Sequence, residues 1–501
     1  MSSNTAELHI KTVTRPTGDS MGNGLFATAD IENGGEVLRT DKPFVIVLDT
    51  PRLHDTCAGC YGTRQLLNPE TASADLKACT RCKVVRYCNK SCQLKDWRFA
   101  HSLECPIFSK LYPNIMPNHA RAVLRVILRH RSKKYSDDEF QRFLALGSHR
   151  QDMLTGSHKD RWENNILLSA KAVKEFSGVE LSEEQIALYI ARLDINAFNL
   201  ATPFYDRIGL FLHPYAALIN HSCDYNAVVS YEADKIFIKA SRPIKKDEQI
   251  YVSYIDTTYS VNTRRKELAE RYFFNCNCPK CTEEEKTPVG ERASIEHAEN
   301  KTKELIESAS KLEDYDEAVK KYEQGIRTLL STFACPITKQ PYVSLRDELI
   351  LVLLSARRFE EALVHTMIRY LRVDPFVYPN ENSPVRRLHA WTLAKLGVYV
   401  SEESGPGRPD GPFRKFGINT ALITWAALVW LVRGEREACT SPGFQTVVKE
   451  QYQQVSRLFI SAGFKADQMA SLFDEEWKKV DALAEHVLKQ EREKGNAAIT
   501  M

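Results

Sequence analysis

Eight residues able to ligate zinc fall between positions 57 and 105, in the order Cys57-x2-Cys60, Cys79-x2-Cys82, Cys88-x3-Cys92 and His101-x3-Cys105. Tetrahedral zinc takes four thiolate or imidazole ligands, and short spacings let one tight turn present two of them to the same ion. Two four-ligand sites are therefore expected, and spacing alone leaves open which pair serves which ion. A second group, Cys276-x-Cys278-x2-Cys281, lies far downstream and needs a fourth ligand to close a structural site. If Cys223 is counted with it, only Cys335 and Cys439 of the thirteen cysteines stay outside metal-like groups. Thiols committed to metal in this way point to a reducing compartment, cytosol or nucleus.

The segments that must carry these ligands alternate in character. Residues 6–50 read as short strands, with Leu8-His9-Ile10, a glycine turn at Gly22-Asn23-Gly24, then Glu36 to Arg39 and Phe44 to Leu48. The cysteine-rich block interrupts this β material. From about 106 to 200 the apolar period becomes helical, at 120–130, 139–146 and 182–196, the last opening on a Ser-Glu-Glu-Gln capping pattern. Strands return at 227–231, 235–240 and 249–254, and alternation along the last puts Ile250, Val252 and Tyr254 on one face. The polar stretch 282–291 reads as a linker, and beyond it the chain is helical. There Tyr315-Asp316-Glu317-Ala318 and Phe359-Glu360-Glu361-Ala362 repeat an aromatic-x-x-Ala pattern used in tetratricopeptide-like helix pairs, with Leu396-Gly397-Val398-Tyr399 as another such fragment. The fold class expected is α+β.

With 501 residues, 27% charged and 43% hydrophobic, the composition is that of a soluble chain of several globular domains. The opening residues lack the basic and apolar regions of a secretion signal, and the apolar run 418–432 is short and interrupted by Asn419, Thr420 and Thr424, so no membrane insertion is expected. Net charge is +3 overall, yet residues 57–134 hold fifteen Lys and Arg against four acids, a local +11 that leaves −8 for the rest. Such a region could touch nucleic acid or acidic protein. Equally, Arg121, Arg125 and Arg129, at i, i+4 and i+8 opposite Val123, Ile127 and Leu128, could be the solvated face of an amphipathic helix.

Four separated pieces, Gly22-Asn23-Gly24-Leu25, Asn220-His221-Ser222-Cys223, Tyr254-Ile255-Asp256 and the terminal cysteine cluster, together resemble a SET domain, and the block between the first two resembles a MYND zinc finger. Their order is similar to that of the SET and MYND (SMYD-type) protein-lysine methyltransferases. That resemblance implies a SET N-terminal part at 1–50, a MYND finger at 51–106, a helical SET insertion at 107–190, core SET at 191–256, a post-SET zinc segment at 257–284 and a tetratricopeptide-like helical domain at 285–501. It implies interleaved zinc sites, Cys57, Cys60, Cys88 and Cys92 on one ion and Cys79, Cys82, His101 and Cys105 on the other, with Cys223 completing a third site with Cys276, Cys278 and Cys281.

The activity implied is methyl transfer from S-adenosylmethionine to a protein lysine. Gly22, Asn23, Gly24, Asn196, Asn220, His221, Tyr254 and Phe274 would then contact the cofactor, the glycines by letting backbone lie against it. Tyr254 would be catalytic, and Phe198, Tyr254 and Tyr272 would line the lysine channel, where an apolar wall and the adjacent sulfonium disfavour the ammonium form. Met21, Asn23, Tyr225 and the turn Lys246-Asp247-Glu248 depart from the usual pattern. The resemblance further implies three zinc ions, a protein-lysine substrate, histone or not, proline-containing peptides on the MYND finger, a cytoplasmic or nuclear place and a monomer. The alternative is an adaptor or chromatin regulator that has lost the chemistry.

Overall fold

The β-branched and aromatic runs of the first half form short strands, as their alternation requires. The computed structural model describes residues 8–18, 21–67, 76–332, 335–403, 411–465 and 469–499. Two units divide the chain: Met1–Val252 with Glu267–Asn275 and Ser441–Phe444, and Ser253–Lys266 with Cys276–Thr440 and Gln445–Met501. In the first, the strands are β1 (Leu8–Ile10), β2 (Thr12–Pro16), β3 (Asn23–Ala27), β4 (Glu36–Thr40), β5 (Val45–Leu48), β6 (Lys77–Ala78), β7 (Arg86–Tyr87), β8 (Phe198–Ala201), β9 (Arg207–Leu212), β10 (Asn220–His221), β11 (Ala227–Glu232), β12 (Lys235–Ala240) and β13 (Tyr251–Val252). They pair as small sheets in the orders β1-β4-β12-β11, β5-β9-β8, β2-β3 and β6-β7, and β10 lies parallel to β13.

Helices fill the space between the strand groups where the 3.6-residue period predicts them, at Asn118–Arg131, Asp137–Ala145 and Glu183–Asn196. Two of these open on complete capping boxes, with Ser136 and Glu139 at one and Ser182 and Gln185 at the other exchanging side chain and backbone hydrogen bonds. The strand expected over 249–254 is shorter. β13 ends at Val252, because Ser253 Oγ donates to the Ile255 carbonyl at 2.6 Å and accepts from Ile255 N at 3.3 Å, turning the chain before Tyr254. Tyr254 is therefore not on a strand face. The polar stretch 282–291 is largely helix, closing Pro279–Glu284 and opening Val289–Ala309.

The arginine stripe of helix Asn118–Arg131 is neither solvated nor available to nucleic acid. Arg121, Arg125 and Arg129 are 4%, 6% and 3% exposed. Arg125 grips both carboxylate oxygens of buried Glu104, Nε to Oε1 at 2.7 Å and Nη2 to Oε2 at 2.8 Å, and also donates to the Ile46 carbonyl at 2.5 Å. Arg121 donates to the carbonyls of Met116 at 2.9 Å and Leu48 at 2.8 Å. Arg129 donates to the Phe99 carbonyl and lies 4.0 Å from the centre of the Phe99 ring and 4.7 Å from that of Tyr135. Burial disfavours an ionised Glu104, but the charge and hydrogen bonds of Arg125 outweigh it and hold the carboxyl below the usual range.

The second unit is helical among its described residues. Successive helices pack on one another, Val289–Ala309 on Tyr315–Thr332, that on Tyr342–Ser355, and so through Phe359–Ile368 to Pro384–Glu403 and Thr420–Arg433. Helix Ala470–Ile499 returns across several of them. Gly397 is required where the most extensively packed pair meets, since a Cβ there would lie 2.0 Å from Thr424 Oγ1. Trp425 stacks on Phe459 with centroids 4.4 Å apart and donates to Ser456 Oγ at 2.9 Å, which satisfies a fully buried indole. Among the described residues no helix is long and apolar enough to cross a membrane.

Replacing Arg125 by Ala strands the Glu104 carboxylate in the interior and should destabilise the first unit by about 3–5 kcal/mol. The double change Arg125→Met with Glu104→Gln should cost much less than the two single changes summed. Urea unfolding followed by intrinsic fluorescence measures both; a single Arg125→Ala loss below about 1 kcal/mol would show the pair to be incidental.

Candidate functional site

Two sets of four ligand atoms gather in the first unit, Cys57, Cys60, Cys88 and Cys92, and Cys79, Cys82, His101 and Cys105, each with all four atoms within 4.8 Å of one another. The pairs are thus interleaved, as the resemblance implies. Fit to zinc is tested by separation: tetrahedral Zn–S bonds of about 2.3 Å place sulfurs about 3.8 Å apart. Cys60 and Cys88 lie at 3.7 Å, Cys79 and Cys105 at 3.8 Å, and Cys82 Sγ is 3.6 Å from His101 Nε2. The residues fit the ion.

Local structure explains how each ligand is aimed. Strands β6 and β7 form a hairpin that carries Cys79 and Cys82 at its turn end, where Cys79 N donates to the Val85 carbonyl at 2.9 Å, and Cys88 at its other end. Gly59 has no alternative, because a Cβ would meet the Cys92 carbonyl oxygen at 2.3 Å. Helices Lys90–Asp96 and Ser102–Leu111 are joined by a π-turn, Trp97–His101, and Asn89 caps the first by accepting from Cys92 N at 2.9 Å. His101 and Cys105, four apart, then share one face. Amides help hold the thiolates: Gly59 N and Cys88 N lie 3.4 and 3.3 Å from Cys57 Sγ.

The four cysteines of the implied third site, Cys223, Cys276, Cys278 and Cys281, are divided between the two units. Cys223 belongs to the first unit and lies 3.3 Å from His221 Nε2. Cys276, Cys278 and Cys281 belong to the second, where Cys278 is the cap residue of helix Pro279–Glu284 and Arg264 Nη2 lies 3.4 Å from Cys281 Sγ.

Five of the residues expected at a cofactor pocket contact one another in the first unit, in two groups. Asn220 Nδ2 donates to the Asn23 carbonyl at 3.1 Å, a Cβ on Gly24 would reach to 3.1 Å from the same Nδ2, and the rings of His221 and Phe274 lie 5.9 Å apart. The two glycines serve different ends. Gly22 has φ +72 with open space where a Cβ would stand, so its need is backbone conformation. At Gly24 a Cβ would fall 2.5 Å from Gln249 Nε2, the end of a flexible side chain that would have to move aside. Asn196 Nδ2 donates to the carbonyls of Gly147 at 2.9 Å and Arg192 at 2.8 Å, which leaves Oδ1 as its group for a ligand. Phe198, half-buried, begins β8, and Tyr272 ends helix Val261–Tyr272, its phenol pushed above the ordinary range by burial while Arg271 opposes. Tyr254 lies in the second unit, half-buried.

Asn226, three residues beyond Cys223, is not among the site residues expected from the sequence. It is fully buried; its Nδ2 donates to the Gln249 carbonyl at 2.8 Å and to Glu248 Oε1 at 3.0 Å, and its Oδ1 accepts from Tyr251 N at 2.8 Å. These bonds fix β13 beside β10. The nearby turn that lacks the usual glycine puts Asp247 at φ +66, with its carboxylate 2.6 Å from Arg15.

Residues 22–255 match the SET domain family. "SET domain and MYND-type zinc finger protein 6" of Schizosaccharomyces pombe is 30% identical over 267 residues, 53% of this chain and 51% of that protein. "Histone-lysine N-methyltransferase ASHR1" of Arabidopsis thaliana is 30% identical over 277 residues, 52% and 53% of the two chains. "Histone-lysine N-methyltransferase SMYD3" of Mus musculus is 26% identical over 391 residues, 75% and 86%. Over residues 22–255 this chain is similar to SET-domain proteins. It spans about half the length of the first two of these SMYD-type and SET relatives.

Metal analysis checks the interleaving. Cys92→Ser and His101→Ala should each lower bound zinc by about one ion. Only His101→Ala should alter Trp97 fluorescence strongly, because the Trp97 ring lies 5.8 Å from the His101 ring. Loss of both ions from either single change would contradict two separate sites.

Proposed function

We propose that this protein transfers the methyl group of S-adenosylmethionine to lysine side chains of proteins. The observation that carries the reading is the meeting of Asn23, Gly24, Asn220, His221 and Phe274 within the segments of a SET-matched unit. Bound S-adenosylmethionine would supply a sulfonium-activated methyl group. The chain's own part is then to bind and align. Asn23, Asn220 and Asn196 Oδ1 offer amide groups to the polar ends of the cofactor, and Phe274 covers the adenine beside His221. Phe198 and Tyr272 line the lysine channel, where a neutral phenol and apolar rings favour the uncharged amine that can attack. Tyr254 orients amine and donor; alignment supplies much of the acceleration in such a displacement, so no covalent intermediate on the protein is needed.

Support for the third zinc site comes from the chemistry of the donors, four thiols of which Cys281 already has a guanidinium beside it. The post-SET segment at 257–284 and the other domain boundaries, 1–50, 51–106, 107–190, 191–256 and 285–501, belong to the same proposal. So does a tetratricopeptide-like character for the last of them, which the run of successively packed helices favours. A second reading, capture of proline-containing peptides by the MYND finger, is favoured by Leu94 and Trp97, which stand 42% and 38% exposed on its helical segment. The nucleic-acid reading loses three of its fifteen cations to the interior. A cytoplasmic or nuclear protein acting as a monomer is consistent with the proposal.

Incubation with methyl-labelled S-adenosylmethionine and cell extract tests it, with Tyr254→Phe expected to label about a hundredfold more slowly at similar cofactor affinity. Equal labelling would remove Tyr254 from the chemistry. Cofactor binding with no labelling by either form would favour the peptide-binding adaptor.

A further inference from the structure

Phe273 stands between Tyr272 and Phe274 with φ +64, a left-handed conformation that a bulky side chain rarely adopts. Something must hold it there. The ring of His149 stacks on it, centroids 5.1 Å apart and planes 16° from parallel, and the ring of His158 meets it edge-on at 4.9 Å and 68°. Both histidines come from the segment that follows helix Asp137–Ala145, in which His149 is itself at φ +46 and its Nδ1 lies 3.0 Å from Asp152 Oδ2. The same segment is fastened on either side. The Gly147 carbonyl accepts from Asn196, while Arg161 pairs with Asp194 at 2.5 Å and donates to the Glu270 carbonyl at 3.5 Å.

The geometry points to a positioning clasp: His149 and His158 grip Phe273, lock the left-handed turn that ends helix Val261–Tyr272, and thereby set where Tyr272 and Phe274 point. A left-handed residue after a helix swings the chain sharply, so the side chains before and after it diverge. Relaxation of Phe273 to an ordinary conformation would carry the Phe274 ring away from His221. The consequence for cofactor binding rests on the methyltransferase reading; the clasp itself does not. His149 stacks on Phe273 in this arrangement and acts through it, which makes it a positioning residue with a role that motif spacing around the glycine turn or the cysteine clusters does not reveal.

The test combines hydrogen exchange over residues 267–275 with calorimetric titration of S-adenosylhomocysteine, on the zinc-loaded full chain. His149→Ala should raise exchange in that segment and weaken binding about tenfold, the loss of one aromatic pair, while the turnover at saturating cofactor changes less than about threefold. His149→Phe, which keeps the stacked ring, should restore both exchange and affinity. The clasp is overturned if His149→Ala leaves exchange and affinity unchanged, or if His149→Phe is as impaired as His149→Ala. A wild-type protein that binds no S-adenosylhomocysteine, but whose 267–275 segment still loosens in His149→Ala, would remove the methyltransferase reading and uphold the clasp.

Discussion

The bidentate pair between Arg125 and Glu104 joins the zinc-held helices to the β-sheet of the first unit. A finger of some fifty residues is too small to bury a core of its own, so its fold depends on metal and on what it packs against. Glu104 precedes the ligand Cys105, and its place is fixed once that thiolate is. Arg125, reaching Glu104 from helix Asn118–Arg131, also donates to Ile46 on β5, while Arg121 donates to Leu48 on the same strand. β5 is an edge strand, and edge carbonyls without partners in a buried setting are costly. The two guanidiniums complete the sheet edge and the zinc helix anchors one of them, so the finger and the sheet are stable as one body.

The residues about the glycine turn show a different economy. Gly24 gives up its side chain so that Gln249 and Asn220 can approach, and Asn226 supplies the hydrogen bonds that a single pair of parallel two-residue strands cannot supply for itself. Such short strands have little stability alone. A buried amide with its donors and acceptor all engaged is therefore what keeps Asn220 and His221 in register with Tyr251 and Val252.

What could be read from the sequence was local. Ligand spacing announced the zinc sites, because two ligands on one turn are a property of a few adjacent residues, and the helix at Ser182 announced itself through a capping pattern of four adjacent residues. Tyr254 was misplaced by extending an alternation through a turn that Ser253 makes with its own hydroxyl. The arginine stripe was misread for a deeper reason. Periodicity reports which residues share a helix face and says nothing about what that face meets. Here the partner is a buried carboxylate 21 residues away and carbonyls more than 70 away. The stacking of His149 on Phe273 lies still further from any spacing rule.

Register within the three-stranded sheet gives these observations a common direction. Ile46, whose carbonyl Arg125 holds, stands opposite Phe211 on β9, and Phe211 stands opposite Phe198 on β8. One transverse row thus runs from the strand clamped by the zinc-bearing helix to the aromatic proposed for the substrate channel. A one-residue slip in β5 would turn each of its side chains to the other face, so register cannot drift by small amounts. Holding alternate carbonyls of β5 with two guanidiniums fixes that register at the edge, and the ladder carries it inward. On this argument the metal-ligand groups bear on the proposed channel through position alone: ligands remote from Phe198 help fix where it stands.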